Sequence, residues 1–261
     1  MESYRTKVSS QKEPAHLQSR AFIELLRENK GLVFSREQQL FVEGINEIAK
    51  VLDSRNVERD SWMIIAGGGV FLYQLMHYGS SKPERIDRSP TDLDIVLNNT
   101  VGSGLILDSI KDAFAAPAVV NKEPVMHYGH VLEGPTLSTK TTNGLDVDII
   151  TELSQVYPKD HRFAPSMRYK YPLADTMLSQ AKTYTHQLIC GEIKVAHPGF
   201  IAFYKLMLYR DLNGKQDTAD IRRLKALGVL GDSKELNEVL STMCHQDTKI
   251  FNALRKAIDE I

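Results

Sequence analysis

Trp62-Met-Ile-Ile-Ala-Gly-Gly-Gly-Val70 and, after a polar connection, Thr91-Asp92-Leu93-Asp94-Ile95-Val96-Leu97 are the stretches that decide the fold. The first begins as an apolar run of strand length. At Gly67-Gly68-Gly69 the period changes, and Val70-Phe-Leu-Tyr-Gln-Leu-Met-His-Tyr78 reads as a helix. The second alternates acid with aliphatic residue, so Asp92 and Asp94 project from one face of a strand while Leu93 and Ile95 enter the core. With a further helix expected from Leu105 to Ala115, residues 62–115 read strand, helix, strand, helix.

Leu145-Asp146-Val147-Asp148-Ile149 repeats the acid-aliphatic pattern after an Asn143-Gly144 turn. Parallel carboxylates repel unless a cation lies between them, and hard oxygen donors favour magnesium or manganese over zinc. A third carboxylate beside Asp92 and Asp94 completes a site suited to metal-assisted phosphoryl transfer. Asp148, followed by Ile149-Ile150, is the preferred third ligand, and Asp146 is the alternative. Each acidic pair alone is more simply an edge strand with its acids in water. Two of them after a glycine turn favour a site.

At the glycines, absent side chains let phosphate approach backbone amides and the positive end of a helix. The same triplet also serves as a plain tight turn, since it is neither a Walker A sequence nor a dinucleotide fingerprint. Lys205 lies on an apolar helix face with Ile201, Ala202, Leu208 and Tyr209 as neighbours. Its ammonium must snorkel, lose its charge or find an anion, and either a triphosphate or one of the aspartates would serve as that anion. Arg210 ends this helix, and Asp217 and Asp220 open the next as an N-cap and a first-turn acid.

Elsewhere, residues 1–18 form a polar lead, and Ser35 starts an amphipathic helix carrying Leu40, Phe41, Ile45, Ile48 and Leu52. The region 117–152 is β-like, and 155–183 is polar and irregular. Thr185-His-Gln-Leu-Ile189 and Glu192-Ile-Lys-Val-Ala196 flank a Cys190-Gly191 turn as a hairpin. From Pro198 the chain is helical. The expected class is α+β, divided into 1–197, a core with an N-terminal helical lead, and 198–261, a helical subdomain.

The 261 residues carry 32 Lys+Arg against 33 Asp+Glu, for a formal net charge of -1, so any polyanion-binding surface is local. The best candidate is Lys159, His161, Arg162, Arg168 and Lys170 with Phe163, Tyr169 and Tyr171, though a solvated loop is the simpler reading. Two cysteines exclude a disulfide framework, and the eight histidines lack zinc spacing. No export signal or spanning segment is read, so a cytoplasmic location with no membrane contact is expected. No nucleophile elbow of the G-x-S-x-G type is present.

Strand, Gly-Gly, helix, Asp-x-Asp and a later strand with one further Asp resemble the nucleotidyltransferase superfamily that includes DNA polymerase beta and antibiotic nucleotidyltransferases, over roughly residues 62–150. Arg88-Ser-Pro-Thr-Asp-Leu-Asp-Ile95, His197-Pro198, Lys205, Arg210 and Asp217-x-x-Asp220 extend the resemblance, to about residue 224, toward the abortive-infection AbiE-type nucleotidyltransferase toxins. The segment from about Gly79 to Ser89 is longer than is usual in that group. The resemblance implies a mixed β-sheet flanked by helices with a C-terminal helical subdomain. It further implies transfer of a nucleoside monophosphate from a nucleoside triphosphate to a hydroxyl. Gly68 and Gly69 would hold triphosphate oxygens, and Asp92, Asp94 and Asp148 would bind magnesium or manganese. Asp148 would also help the acceptor lose its proton. Lys205 would steady the β- and γ-phosphates, and Arg210 and Asp217 would complete the nucleotide site. The resemblance further implies an acceptor that is RNA such as tRNA, with a cognate antitoxin as partner, or else an aminoglycoside or lincosamide antibiotic. A non-catalytic nucleotide- or RNA-binding protein of the same fold is the third reading.

Overall fold

A computed structural model describes residues 34–78, 86–98, 103–123, 125–127, 130–132, 135–151, 155–156, 168–169, 173–207, 215–231, 233–244 and 248–261. Ser35 opens helix α1 (Arg36–Ser54): its hydroxyl accepts from the Gln38 amide, and the Ser35 amide donates to the Gln38 side chain. This capping box satisfies two amides that the helix itself leaves unpaired. Phe41, Ile45, Ile48 and Leu52 follow at helical spacing and are fully buried.

Strand β1 (Trp62–Ile64) leads into α2 (Ala66–His77), which begins before the glycines, so the triplet forms the first helical turn instead of a separate loop. Strand β2 (Asp92–Leu97) follows, then α3 (Ser103–Lys111), which ends earlier than the expected helix over 105–115. The β-like region resolves into β3 (Val119–Asn121), β4 (Val125–His127), β5 (His130–Leu132), β6 (Thr136–Lys140) and β7 (Asp146–Ile150). Two short strands, β8 (Gln155–Val156) and β9 (Arg168–Tyr169), pair with each other.

Two readings change further on. The stretch 155–183, expected to be irregular, holds β8, β9 and α4 (Leu173–Ser179). The expected strand at 185–189 is a turn: the Ile189 amide donates to His186 O, the Leu188 amide donates to His186 Nδ1, and Asn46 holds Leu188 O. The strand moves upstream to β10 (Lys182–Tyr184), antiparallel to β11 (Ile193–Val195).

Seven strands form one sheet in the order β10-β11-β1-β2-β7-β6-β3. The pairs β11/β1 and β2/β7 are parallel and the others antiparallel, so the sheet is mixed. Helices flank it, in agreement with the expected fold class. Ile64, Ile95, Ile149 and Leu137 form one register row across four strands, and all four are fully buried. From Pro198 the chain is helical as expected, with α5 (Pro198–Met207), α6 (Lys215–Ala226), α7 (Lys234–Met243) and α8 (Thr248–Glu260). Helix α5 packs on α2, α6, α7 and α8, and residues Phe34–Ile261 make one compact unit. Among the described residues no helix is long and apolar enough to cross a membrane.

Candidate active site

The parallel pairing of β2 with β7 sets Asp92 against Asp146 and Asp94 against Asp148. Register partners on adjacent strands project from the same face, so two acidic rows lie side by side at the N-terminal ends of these strands, with Cα atoms about 5 Å apart. Past them the strands are apolar, and Val96 and Ile150 on the same face are buried. Asp92, Asp94 and Asp148 are half-buried, and Asp146 is exposed and ion-paired with Lys140 at 2.6 Å. The Ser138 hydroxyl, next in the row on β6, donates to Asp148 Oδ1 at 2.5 Å.

Hard carboxylate oxygens in this number suit magnesium or manganese. Among the described residues, however, no group of three His, Cys, Asp or Glu side chains is already gathered for a metal ion. Asp146 bonds to Lys140 and Asp148 to Ser138, both on β6 and away from β2. The register and oxygen chemistry would suit such an ion only if these side chains rotated to converge.

The glycine turn lies at the same end of the sheet, because the Ile65 amide donates to Asp94 O at 3.1 Å. Ala66 has φ of +52°, a left-handed conformation that is costly for a residue with a Cβ, and it redirects the chain from strand into helix. A Cβ on Gly68 would stand 2.5 Å from Phe41 Cζ, and one on Gly69 would stand 2.6 Å from Ile201 Cδ1. Close core packing thus opposes a side chain at both positions, through an aromatic ring edge at 68 and the flexible end of an isoleucine at 69. The Gly69 amide donates to Ile65 O, which leaves Ala66, Gly67 and Gly68 with amides lacking an acceptor within the helix.

Lys205 is 6% exposed, and its Nζ lies 2.8 Å from Asp217 Oδ1 and 2.9 Å from Asp220 Oδ2. Of the two anions the sequence allows it, the structure supplies the aspartates. Asp220 is fully buried and also faces Arg88 Nε at 2.9 Å and Arg223 Nη1 at 3.1 Å. Arg223 clasps both oxygens of Asp87, and Gln74 joins Asp87 to the Arg88 amide. Burial pushes the Asp87 carboxyl up, but the bonds from Arg223 and Gln74 outweigh it and hold it below the usual range.

Helix α6 begins at Lys215, so Asp217 is a first-turn acid and not the expected N-cap, and Asp220 lies beyond the first turn; both carboxylates face Lys205 instead. Arg210 lies outside the described residues, as do Lys159, His161, Arg162, Phe163, Lys170 and Tyr171 of the basic patch; Arg168 and Tyr169 form β9. Ser138, Asp87 and Arg223 are missed by the sequence reading. The buried role of Asp220 did leave a signal: Asp217, Asp220, Ile221 and Leu224 share one helical stripe, so the carboxylates face inward with the aliphatics.

No protein-family profile matches the sequence, and no curated protein does. An antigenic nucleotidyltransferase-like protein from Paracoccidioides brasiliensis is similar in structure, with 17% identity, TM-score 0.39, and coverage of 83% of this chain and 93% of that one. The Megavirus polyadenylate synthase matches with 12% identity, TM-score 0.40, and coverage of 86% of this chain and 40% of that one. Both likenesses are distant, and the site is read from its own geometry.

Proposed function

We propose that this protein transfers a nucleoside monophosphate from a nucleoside triphosphate to a hydroxyl acceptor, releasing pyrophosphate. The observation that carries the reading is the register of Asp94 against Asp148, which puts a third carboxylate beside the Asp92-x-Asp94 pair at the foot of α2.

Asp92, Asp94 and Asp148 would hold magnesium or manganese. When bound, such ions would neutralise charge on the transferring phosphoryl group and lower the pKa of the attacking hydroxyl. Asp148 would also take the proton of the acceptor hydroxyl, and the hydrogen bond it accepts from the Ser138 hydroxyl supports that reading. The amides at the start of α2 would face triphosphate oxygens. The acceptor we favour is RNA, tRNA included; small hydroxylated compounds are the competing class.

The test incubates purified protein with magnesium, each α-labelled nucleoside triphosphate, and total RNA or a panel of hydroxylated small molecules. Label should pass to one acceptor class and be lost in Asp92→Ala and Asp94→Ala. Transfer near the parent rate in both variants would overturn the assignment.

A further inference from the structure

The start of α2 lacks a side-chain cap, since Ile65 occupies the N-cap position. Facing it is Arg88. An ideal Cβ on Gly67 would stand 2.1 Å from Arg88 Nη2, 3.0 Å from Cζ and 3.4 Å from Nε, so the guanidinium fills the space that any side chain at 67 would need. Arg88 is 9% exposed and held on every other side. Its Nη1 donates to Ser89 O at 2.9 Å, its Nε faces Asp220 Oδ1 at 2.9 Å, its amide donates to Gln74, and its carbonyl accepts from Gln38. Nε is sealed from solvent, whereas Nη2 is not, and Nη2 has no hydrogen-bond partner among the described residues.

A buried guanidinium with free N–H groups, set against amides of a helix start that also lack acceptors, is a site for an anion with several oxygens. Lys205 differs: its ammonium is already held between two carboxylates. We infer that Arg88 receives the polyphosphate of the nucleoside triphosphate at the start of α2, donating through Nη2. Asp220 holds the guanidinium at Nε, and Lys205 is a positioning residue that acts through Asp220. This rests on the nucleotidyltransferase reading above for the nature of the ligand. With Nε and Nη1 engaged, Nη2 offers its two N–H bonds in directions fixed by the guanidinium plane, which a freely rotating ammonium does not.

The experiment titrates the full chain, with magnesium, against inorganic tripolyphosphate and against a non-hydrolysable nucleoside triphosphate by calorimetry. Arg88→Lys keeps a positive charge for Asp220 but withdraws the planar fork, and is expected to weaken both ligands roughly 10–100-fold while circular dichroism stays native. If that variant does not fold, Gly67→Ala, whose methyl displaces Nη2, is titrated instead with the same expectation. Parent-like affinity in the folded variant overturns the role of Arg88 and leaves the proposed activity standing. A parent protein that binds neither ligand overturns both. Binding that depends on Arg88 in a protein that transfers no label sinks the enzymatic reading alone.

Discussion

Asp94 is the residue at which the proposed chemistry and the stability of the fold are expected to separate. It sits half-buried beside Asp148 in the parallel register, so two like charges are held at strand spacing. Asp94→Asn removes one of them and is predicted to lower transfer by about a hundredfold or more, the scale of a lost contribution of several kcal/mol to transition-state charge. Its thermal midpoint should not fall; a large drop would mark Asp94 as a structural residue. His197 makes the opposite case. Its Nδ1 accepts from the Gly199 amide at 3.1 Å and so starts α5, a bond available only to the unprotonated nitrogen. Burial drives its pKa down to about 4, with Glu235 only partly opposing. The folded value lies below the unfolded one, near 6.5, so the stabilisation is complete above about pH 6.5 and is lost as pH falls toward 4, by up to roughly 3 kcal/mol. Urea titrations between pH 7 and 4 should show that loss in the parent and a flatter profile in His197→Asn, which keeps an acceptor for Gly199.

At the scale of elements, β1, α2, β2 and β7 are legible because burial on both sides of a strand start, a glycine triplet and period-two acids each impose a local pattern. What the sequence conceals is the reason for the glycines. Their spacing suggests room for a ligand, yet Phe41 of α1 and Ile201 of α5, distant in sequence, occupy the space beside Gly68 and Gly69. Likewise the 185–189 run has strand composition, but the His186 and Asn46 bonds fold it into a turn. Gly68→Ala is therefore predicted to cost about 1–3 kcal/mol through overpacking against Phe41 and Ile64, measured by urea unfolding. Combining it with Phe41→Leu should recover part of that loss, since the smaller side chain removes the ring atom in the way; no recovery would place the cost in the helix backbone instead.

Across the whole molecule, the three cations Arg88, Lys205 and Arg223 and the three carboxylates Asp87, Asp217 and Asp220 tie the approach to β2 to helices α5 and α6. The sequence announces the charges but not their pairing, because Arg88 and Asp220 meet only once the C-terminal helices pack against α2. Asp220 is the hub, fully buried with all three cations around it. Removing one member of a buried ion network leaves its partners without compensation, and the penalty greatly exceeds that of an exposed pair. Asp220→Ala is accordingly predicted to cost about 3–5 kcal/mol, and raising the salt concentration should change that figure little, since buried charges are screened weakly. Glu260→Ala, which breaks only the exposed pair with Lys256, should cost less than about 1 kcal/mol. Urea unfolding of both variants at low and high salt measures the difference. Equal costs for the two would mean that the cluster does not hold the helices to the sheet, and that the link from α6 through Arg88 to the glycine turn has no energetic basis.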